Sequence, residues 1–292
     1  MQIRMIHHGR DRDSLLLPLD ARTIDLMLQY RIHLVRCEPT SHFHVGSTHT
    51  HATGDGIVHV PSGLGGPFHL DPWTTAEWMA FRANFVLVIM RYWDRKFELT
   101  PNRPWYRPFG SQRAAAARIT CSLSLDLVDV AAQAHLLYYI VKPQEWNFRS
   151  FAVPEDRRGL FTHRDLSFQT RNLQTPVGHH VRHHVSFRQC TILHEFGHTL
   201  GLQHVNGAGN SDPNYGVTLD QREDLMGVGD HVTAREARPW ISQLRRHHLI
   251  PGHGNRDDAA LRFTAWVVAP QIIIYWDNDW VPTPAAAPHA AH

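Results

Sequence analysis

The segment HEFGHTLGLQH, residues 194–204, contains the side chains best suited to chemistry. His194 and His198 are four residues apart on a predicted helix, so both imidazoles lie on one face and can reach a single ion. Glu195 is displaced from that face by about 100° and lies beside the ion instead of competing as its next ligand. Gly201 permits a sharp change of direction after the helix, and the chain can then bring His204 to the same ion.

Three neutral ring nitrogens and one open position describe a catalytic zinc site, because a structural zinc site uses four protein ligands. Residue frequencies give a chance expectation of about 0.05 for HExxH in this chain, and about 3 in 10,000 once the glycine and the third histidine are required. The chain contains 24 histidines. A surface helix that happens to be rich in histidine is therefore the plainer alternative.

Two capping-box patterns mark helices around this segment. Ser186, followed three residues later by glutamine, predicts a helix that runs to Leu200. Thr233, followed three residues later by Glu236, predicts a second helix. The residues between these helices, 205–232, contain several glycines and are predicted to form loops.

The rest of the chain is predicted to form strands and one further helix. Strict alternation of apolar residues predicts long strands over 24–34 and 119–127. Apolar side chains at three- and four-residue steps predict a helix that opens at 71–75 and includes Tyr92. Shorter strands are predicted at 56–60, 136–141, 148–153, 160–168 and 262–276. Because one convincing helix interrupts the strands of the first half, the sequence indicates an α+β fold.

The segment 194–204 resembles the signature of the metzincin clan of zinc endopeptidases, HExxHxxGxxH. In that clan a turn containing a methionine follows, and the sequence DLMG around Met226 is similar to it. The subfamily stays open. Some metzincins have a metal-binding tyrosine two residues after the methionine, where this chain has Val228, and the serine that matrixins place after the third histidine is Val205 here.

The resemblance implies a metzincin-like fold. An N-terminal subdomain, residues 21–204, would contain a twisted mixed β-sheet, a long backing helix and the active-site helix. A smaller and mostly irregular C-terminal subdomain, residues 205–276, would contain the Met-turn and one helix. Residues 1–20 are expected to form a mobile leader, and residues 277–292, rich in proline and alanine, a disordered tail.

The resemblance also implies a function. One catalytic Zn²⁺ would be held by the three histidines of the segment, with Glu195 as the general base that activates water against a peptide bond. Met226 would form an apolar floor beneath the metal without ligating it. A protein or peptide substrate would lie extended along an edge strand within residues 160–170. The alternative from another class is a non-catalytic histidine-rich module that binds zinc, and such a module needs no base at position 195.

Charge and hydropathy bear on partners and location. The chain has 29 Lys and Arg against 27 Asp and Glu, a formal net charge of +2, so there is no electrostatic reason to expect nucleic acid. No apolar run reaches the roughly 18 residues of a membrane span, and no secretory signal with its apolar region is evident. Enzymes of this kind are usually exported, so delivery by a non-classical route is expected, with a cytoplasmic enzyme as the alternative. The oligomeric state is left open.

Further metal sites are conceivable, and in each case a plainer interpretation is available. Two groups of histidines could hold a second ion or could be solvated loop residues: His179, His180, His183 and His184, and His42, His44, His49 and His51. A group of hard oxygen ligands could suit Ca²⁺, although turn formation is the simpler interpretation: Asp212, Asn214, Asp220, Glu223 and Asp224.

Overall fold

A computed structural model describes residues 5–61, 65–103, 118–177, 181–248 and 261–268, together with Tyr106 and Phe109. Its helices are α1 (Thr75–Trp93), α2 (Thr191–Leu200), α3 (Leu219–Glu223) and α4 (Arg238–His248). Its strands are β1 (Met5–His8), β2 (Asp13–Pro18), β3 (Thr23–Arg36), β4 (His42–Val45), β5 (Thr50–Thr53), β6 (Ile57–His59), β7 (Phe68–His69), β8 (Phe97–Pro101), β9 (Arg118–Leu127), β10 (Leu136–Val141), β11 (Phe151–Val153), β12 (Arg158–Thr162), β13 (Phe168–Val177), β14 (Val181–Cys190) and β15 (Phe263–Val267).

The central sheet is organised around β3, which is 14 residues long and buries alternate side chains as its sequence predicts. β9 runs parallel along one edge of β3, with Ile24 opposite Ile119. β10 runs parallel along the other edge, with Ile32 opposite Leu136. The main path of the sheet is β11-β12-β10-β3-β9-β8-β15, in which parallel and antiparallel pairs occur together. The predicted α+β class is confirmed, with a mixed sheet.

The long helix α1 packs against this sheet. Its N-terminus is fixed by a capping box, in which the Thr74 hydroxyl accepts from the Glu77 amide and the Glu77 carboxylate accepts from the Thr74 amide. Apolar side chains at helical spacing, among them Trp78, Phe85 and Ile89, are buried in the same core cluster as the inward residues of β3 and β9. The predicted helix is therefore confirmed, and it packs in the core. Burying each such side chain stabilises the fold by about 1.5–3 kcal/mol.

The prediction of a mobile leader over residues 1–20 is wrong for residues 5–18. β2 pairs antiparallel with the first half of β3, and β1 pairs with β2. Leu16 is fully buried and Ser14 nearly so. Between the two strands, Arg12 donates from Nη1 to the carbonyl oxygen of Leu200, 2.8 Å away at the end of α2. The segment is ordered because it fills an open stretch of the β3 edge.

The second capping box is confirmed and the first is wrong. Thr233 and Glu236 cap a 3₁₀ turn that leads directly into α4. Ser186, in contrast, lies in β14, which pairs antiparallel with β13 over ten residue pairs. Helix α2 therefore begins at Thr191, four residues later than a cap at Ser186 predicts, and Cys190 at its N-cap makes no side-chain capping hydrogen bond. Pairing along the whole hairpin overrides the local capping pattern.

The last described elements belong to the central sheet and its core, where the sequence predicted a separate C-terminal subdomain. β15 pairs antiparallel with β8 at the edge of the sheet. Trp240 of α4 donates from Nε1 to the carbonyl oxygen of Ser122 in β9 at 2.9 Å, and Leu244 is buried in the main core cluster. The predicted tail, residues 277–292, lies outside the described residues. Within the part of the chain that the structure describes, no helix is both long enough and apolar enough to span a membrane.

A second, four-stranded sheet has the order β4-β5-β6-β7 and is antiparallel throughout. Its inward side chains pack with residues of β10 and β12 in a smaller core cluster, which includes Phe43, Val58, Phe68 and Leu160. The predicted strand at 56–60 is β6 of this sheet.

Candidate metal centre and active site

Helix α2 and the chain after it bring the three predicted histidines together. His194 and His198 lie one turn apart on α2, with their ring centroids 4.9 Å apart. The helix ends at Gly201, whose φ of 101° is a left-handed conformation that glycine adopts without strain. The chain then turns back and places the ring of His204 4.5 Å from that of His198.

The three Nε2 atoms converge on one point. His204 Nε2 is 3.0 Å from His198 Nε2 and 3.3 Å from His194 Nε2. Three ligands of a tetrahedral zinc, each about 2.0–2.1 Å from the ion, are separated from one another by roughly 3.3 Å. The donor set therefore has the spacing of a metal site. It is the one group of three or more His, Cys, Asp or Glu within the described ranges whose ligand atoms all lie within 4.8 Å of one another.

A backbone carbonyl orients each imidazole through its other nitrogen. The Nδ1 atoms of His194, His198 and His204 lie 2.6, 2.9 and 2.7 Å from the carbonyl oxygens of Leu225, Leu202 and Gly209. Because a carbonyl can only accept, each Nδ1 carries the ring proton and each Nε2 presents a lone pair to the others. Three lone pairs that face one another repel unless a cation lies between them. The three histidines can therefore hold a metal ion.

Burial favours the neutral form of His198 and His204, which ligation requires. His194 and His204 are buried and His198 is half-buried. Burial lowers the pKa of His198, and its hydrogen bond to the Leu202 carbonyl opposes that effect in part. Burial, followed by the adjacent His198, lowers the pKa of His204 to about 4.

Glu195 lies beside the histidines without joining them, as predicted. Its Oε2 accepts a hydrogen bond of 2.8 Å from the backbone amide of Ala152 in β11. The residue is half-buried and lines two cavities that open on either side of the metal site. A carboxylate in this position can exchange a proton with a molecule in either cavity.

The turn around Met226 packs against α2. Met226 is fully buried, and its Sδ approaches the helix at Gly197, the one position there without a side chain. The preceding carbonyl, that of Leu225, orients His194. Asp224 accepts from the Met226 amide at 2.8 Å and from Arg235 at 3.0 Å, and these bonds fix the turn.

Two cavities of about 540 Å³ and about 430 Å³ flank the site. They share Arg149, Ser150, Glu195, Asn210 and Tyr215 as lining residues. The metal site is therefore accessible to a ligand from two directions.

The sequence did not single out Tyr215 or Arg149. The Tyr215 ring lies 4.0 Å from the ring of His204, and Arg149 donates to its hydroxyl at 3.0 Å. No local pattern marks either residue, because the fold brings them to the cleft from distant parts of the chain.

The prediction of an edge strand within residues 160–170 fails for β12, whereas β13, which begins at Phe168, pairs only with β14 among the described strands. β12 is paired on both sides, by β10 and by β11, and the edge strand next to α2 is β11. The amide of Ala152 points away from β12 towards Glu195. The short strand at 148–153 was predicted, but sequence alone does not show which strand of a sheet lies at its edge.

Of the further metal sites considered in the sequence, the group of oxygen ligands within residues 212–224 takes part in local contacts. Asp212 forms an ion pair of 2.6 Å with Arg222, and Asn214 caps the turn that begins at Ser211, so these oxygens stabilise local structure as the simpler interpretation proposes. His179 and His180 lie outside the described residues.

None of the models of known protein families matches the chain. No curated protein and no solved structure is significantly similar to it.

Proposed function

We propose that this chain is a zinc-dependent endopeptidase of the metzincin type. The observation that carries the proposal is the convergence of three Nε2 lone pairs next to Glu195, in a cleft open to a ligand on both sides. Imidazole ligands suit zinc and its neighbours in the transition series, whereas Ca²⁺ and Mg²⁺ prefer oxygen. With three protein ligands, a tetrahedral ion keeps one position for water or substrate.

Glu195 is the group of this chain that would handle the proton. Bound zinc would supply a water of lowered pKa and an electrophile for the carbonyl oxygen of the substrate. Glu195, on the same helix as two of the histidines, would accept a proton from the attacking water and later donate it to the departing amine. The Ala152 amide donates to this carboxylate, and Glu195 lines both cavities, so it could serve a substrate bound in either of them.

The edge strand β11 would bind the substrate backbone. A peptide in extended conformation adds to an exposed sheet edge by main-chain hydrogen bonds. β11 runs along the 430 Å³ cavity, with all three of its residues in the cavity wall. A peptide that pairs with Ala152 would accept the hydrogen bond that the Ala152 amide now donates to Glu195.

Replacing Glu195 with glutamine tests the proposal. The amide is nearly the same size but cannot act as a base, so peptide cleavage should fall by about 10²–10⁴-fold or more. About one zinc per chain should stay bound, because Glu195 is not a ligand. Cleavage of a diverse peptide library is followed by mass spectrometry, and metal content is measured by elemental analysis.

Glu223→Gln is the matched control, because it makes the same chemical change at an exposed side chain outside both cavities. It should leave cleavage and zinc content unchanged. Full activity of Glu195→Gln would show that the assigned base is wrong. A wild-type protein that binds zinc but cleaves no peptide would favour the alternative function, a non-catalytic zinc-binding module.

A further inference from the structure

The four-stranded sheet β4–β7 has one apolar face and one face rich in histidine. Residues such as Phe43, Val45 and Val58 point inward and are buried. Because side chains alternate along a strand, their neighbours point outward. Five of the seven outward positions are histidine: His42, His44, His51, Thr53, Ile57, His59 and His69.

Three of these histidines form a row across three neighbouring strands. His44 is opposite His51 in the β4–β5 ladder, and His51 is opposite His59 in the β5–β6 ladder. Directly opposed residues have Cβ atoms about 4.5–5.5 Å apart. The rings of His51 and His59 are stacked with centroids 5.1 Å apart. The rings of the α2 site are separated by 4.5, 4.9 and 5.3 Å, so the spacing of this pair is within the range of rings that converge on one ion.

One nitrogen of each stacked ring already faces a hydrogen-bond acceptor. His51 Nδ1 lies 3.2 Å from the carbonyl oxygen of His49, and His59 Nε2 lies 3.3 Å from Oδ2 of Asp55. These acceptors favour the ring proton on those nitrogens and leave a lone pair on His51 Nε2 and on His59 Nδ1. Backbone carbonyls orient the three histidines of the α2 site in the same manner.

We propose that His51 and His59 form a second metal site, for a divalent transition-metal ion such as Zn²⁺, Ni²⁺ or Cu²⁺. Imidazole is a preferred ligand of these ions. His44 is the next imidazole in the row, and Asp55 orients His59. The His59 side chain is 40% exposed and that of Asp55 45% exposed, so water completes the coordination and the ion exchanges with solvent. This site does not rest on the proposed peptidase function.

A calorimetric titration of the full chain tests the second site. Metal-free protein is loaded with one equivalent of Zn²⁺, which the α2 site takes, and is then titrated with Ni²⁺. The wild-type chain should bind one further equivalent. His51→Asn and His59→Asn should each weaken that second step by at least about tenfold, and Asp55→Asn should weaken it by about tenfold through loss of orientation. With Cu²⁺ as the probe, electron paramagnetic resonance should show nitrogen coupling that each histidine variant reduces.

His42→Asn is the control, because it removes an imidazole from the same face but outside the row. It should leave the second step within twofold of wild type. Absence of a second equivalent, or a second equivalent that His51→Asn leaves unchanged, would overturn the proposal. Equal weakening by His42→Asn and His51→Asn would also overturn it, because the metal would then bind diffusely to a histidine-rich surface.

Discussion

The contact between Gly197 and Met226 links the helix of the metal site to the turn beneath it, and Gly197→Ala perturbs that contact directly. A Cβ atom at position 197 would lie 2.4 Å from Met226 Sδ, 3.3 Å from Met226 Cε and 3.5 Å from a ring carbon of Trp93. Nonbonded heavy atoms prefer a separation of about 3.5–4.0 Å. Since Met226 and Trp93 are both fully buried, the methionine can move away from the new Cβ atom only by shifting within the core.

The expected magnitude follows from two opposing effects. Overpacking a filled core costs about 1–3 kcal/mol, whereas alanine in place of glycine inside a helix gains about 1 kcal/mol. Gly197→Ala should therefore lower the free energy of unfolding by about 0–2 kcal/mol. Met226→Ala alone should lower it by about 2–5 kcal/mol. In the Met226→Ala background the clash is absent, so adding Gly197→Ala should raise stability by about 1 kcal/mol, which makes the coupling between the two positions about 1–3 kcal/mol.

Equilibrium unfolding in urea of the wild type, both single variants and the double variant measures this coupling. Metal affinity gives an independent measurement, because the carbonyl next to Met226 orients His194. Gly197→Ala should weaken metal binding by up to about tenfold, and Met226→Ala in the same chain should restore part of the loss. If the stability changes of the two single variants add to within about 0.5 kcal/mol, the two residues are not in energetic contact and the reasoning is refuted.

Two further outcomes are expected. Burial and the adjacent His7 lower the pKa of His247 to about 4. As the pH falls, His247 is therefore protonated in the unfolded chain before it is protonated in the folded one. Above about pH 6.5 His247 should therefore not destabilise the metal-free protein, and between pH 6.5 and 4 it should lower the free energy of unfolding by about 1–3 kcal/mol. Urea unfolding at pH 7 and at pH 4.5 measures this loss. An identical loss in His247→Gln would contradict the assignment. Metal at 100 times its dissociation constant should raise the free energy of unfolding by about 2.7 kcal/mol. Thermal unfolding with and without a chelator measures this stabilisation. If the metal stabilises His204→Ala equally, the ion binds elsewhere.

The elements that the sequence predicts correctly are those whose evidence is local. Helix α1 and strands β3 and β9 have long and regular periods, and the side chains of each element alone reveal its buried face. The convergence of His194, His198 and His204 is also local, because one helix and one glycine turn bring all three together. Such features depend on residues within about ten positions of one another, and the sequence displays them directly.

The features that the sequence does not predict depend on distant pairing. Ser186 fits a helix cap or a strand equally well, and ten cross-strand pairs with β13 decide for the strand. β11 lies at the edge because no described strand pairs with its other side, which is a property of the whole sheet. Arg149 and Tyr215 meet across 66 positions of sequence. None of these outcomes leaves a signal in the residues concerned.

The N-terminal segment shows how distant pairing shapes the site itself. The last carbonyls of a helix have no partner within the helix, and a cation there is favoured by the helix dipole. At the end of α2, Gly201 and Leu202 donate their amides to His198 and Gly197, and the guanidinium of Arg12 donates to Leu200. Arg12 stays in place because β1 and β2, on either side of it, pair with the central sheet. The turn that returns His204 to the metal site thus begins from a helix end that the first strands of the chain hold fixed, so residues 5–18 support the site although they contribute no ligand.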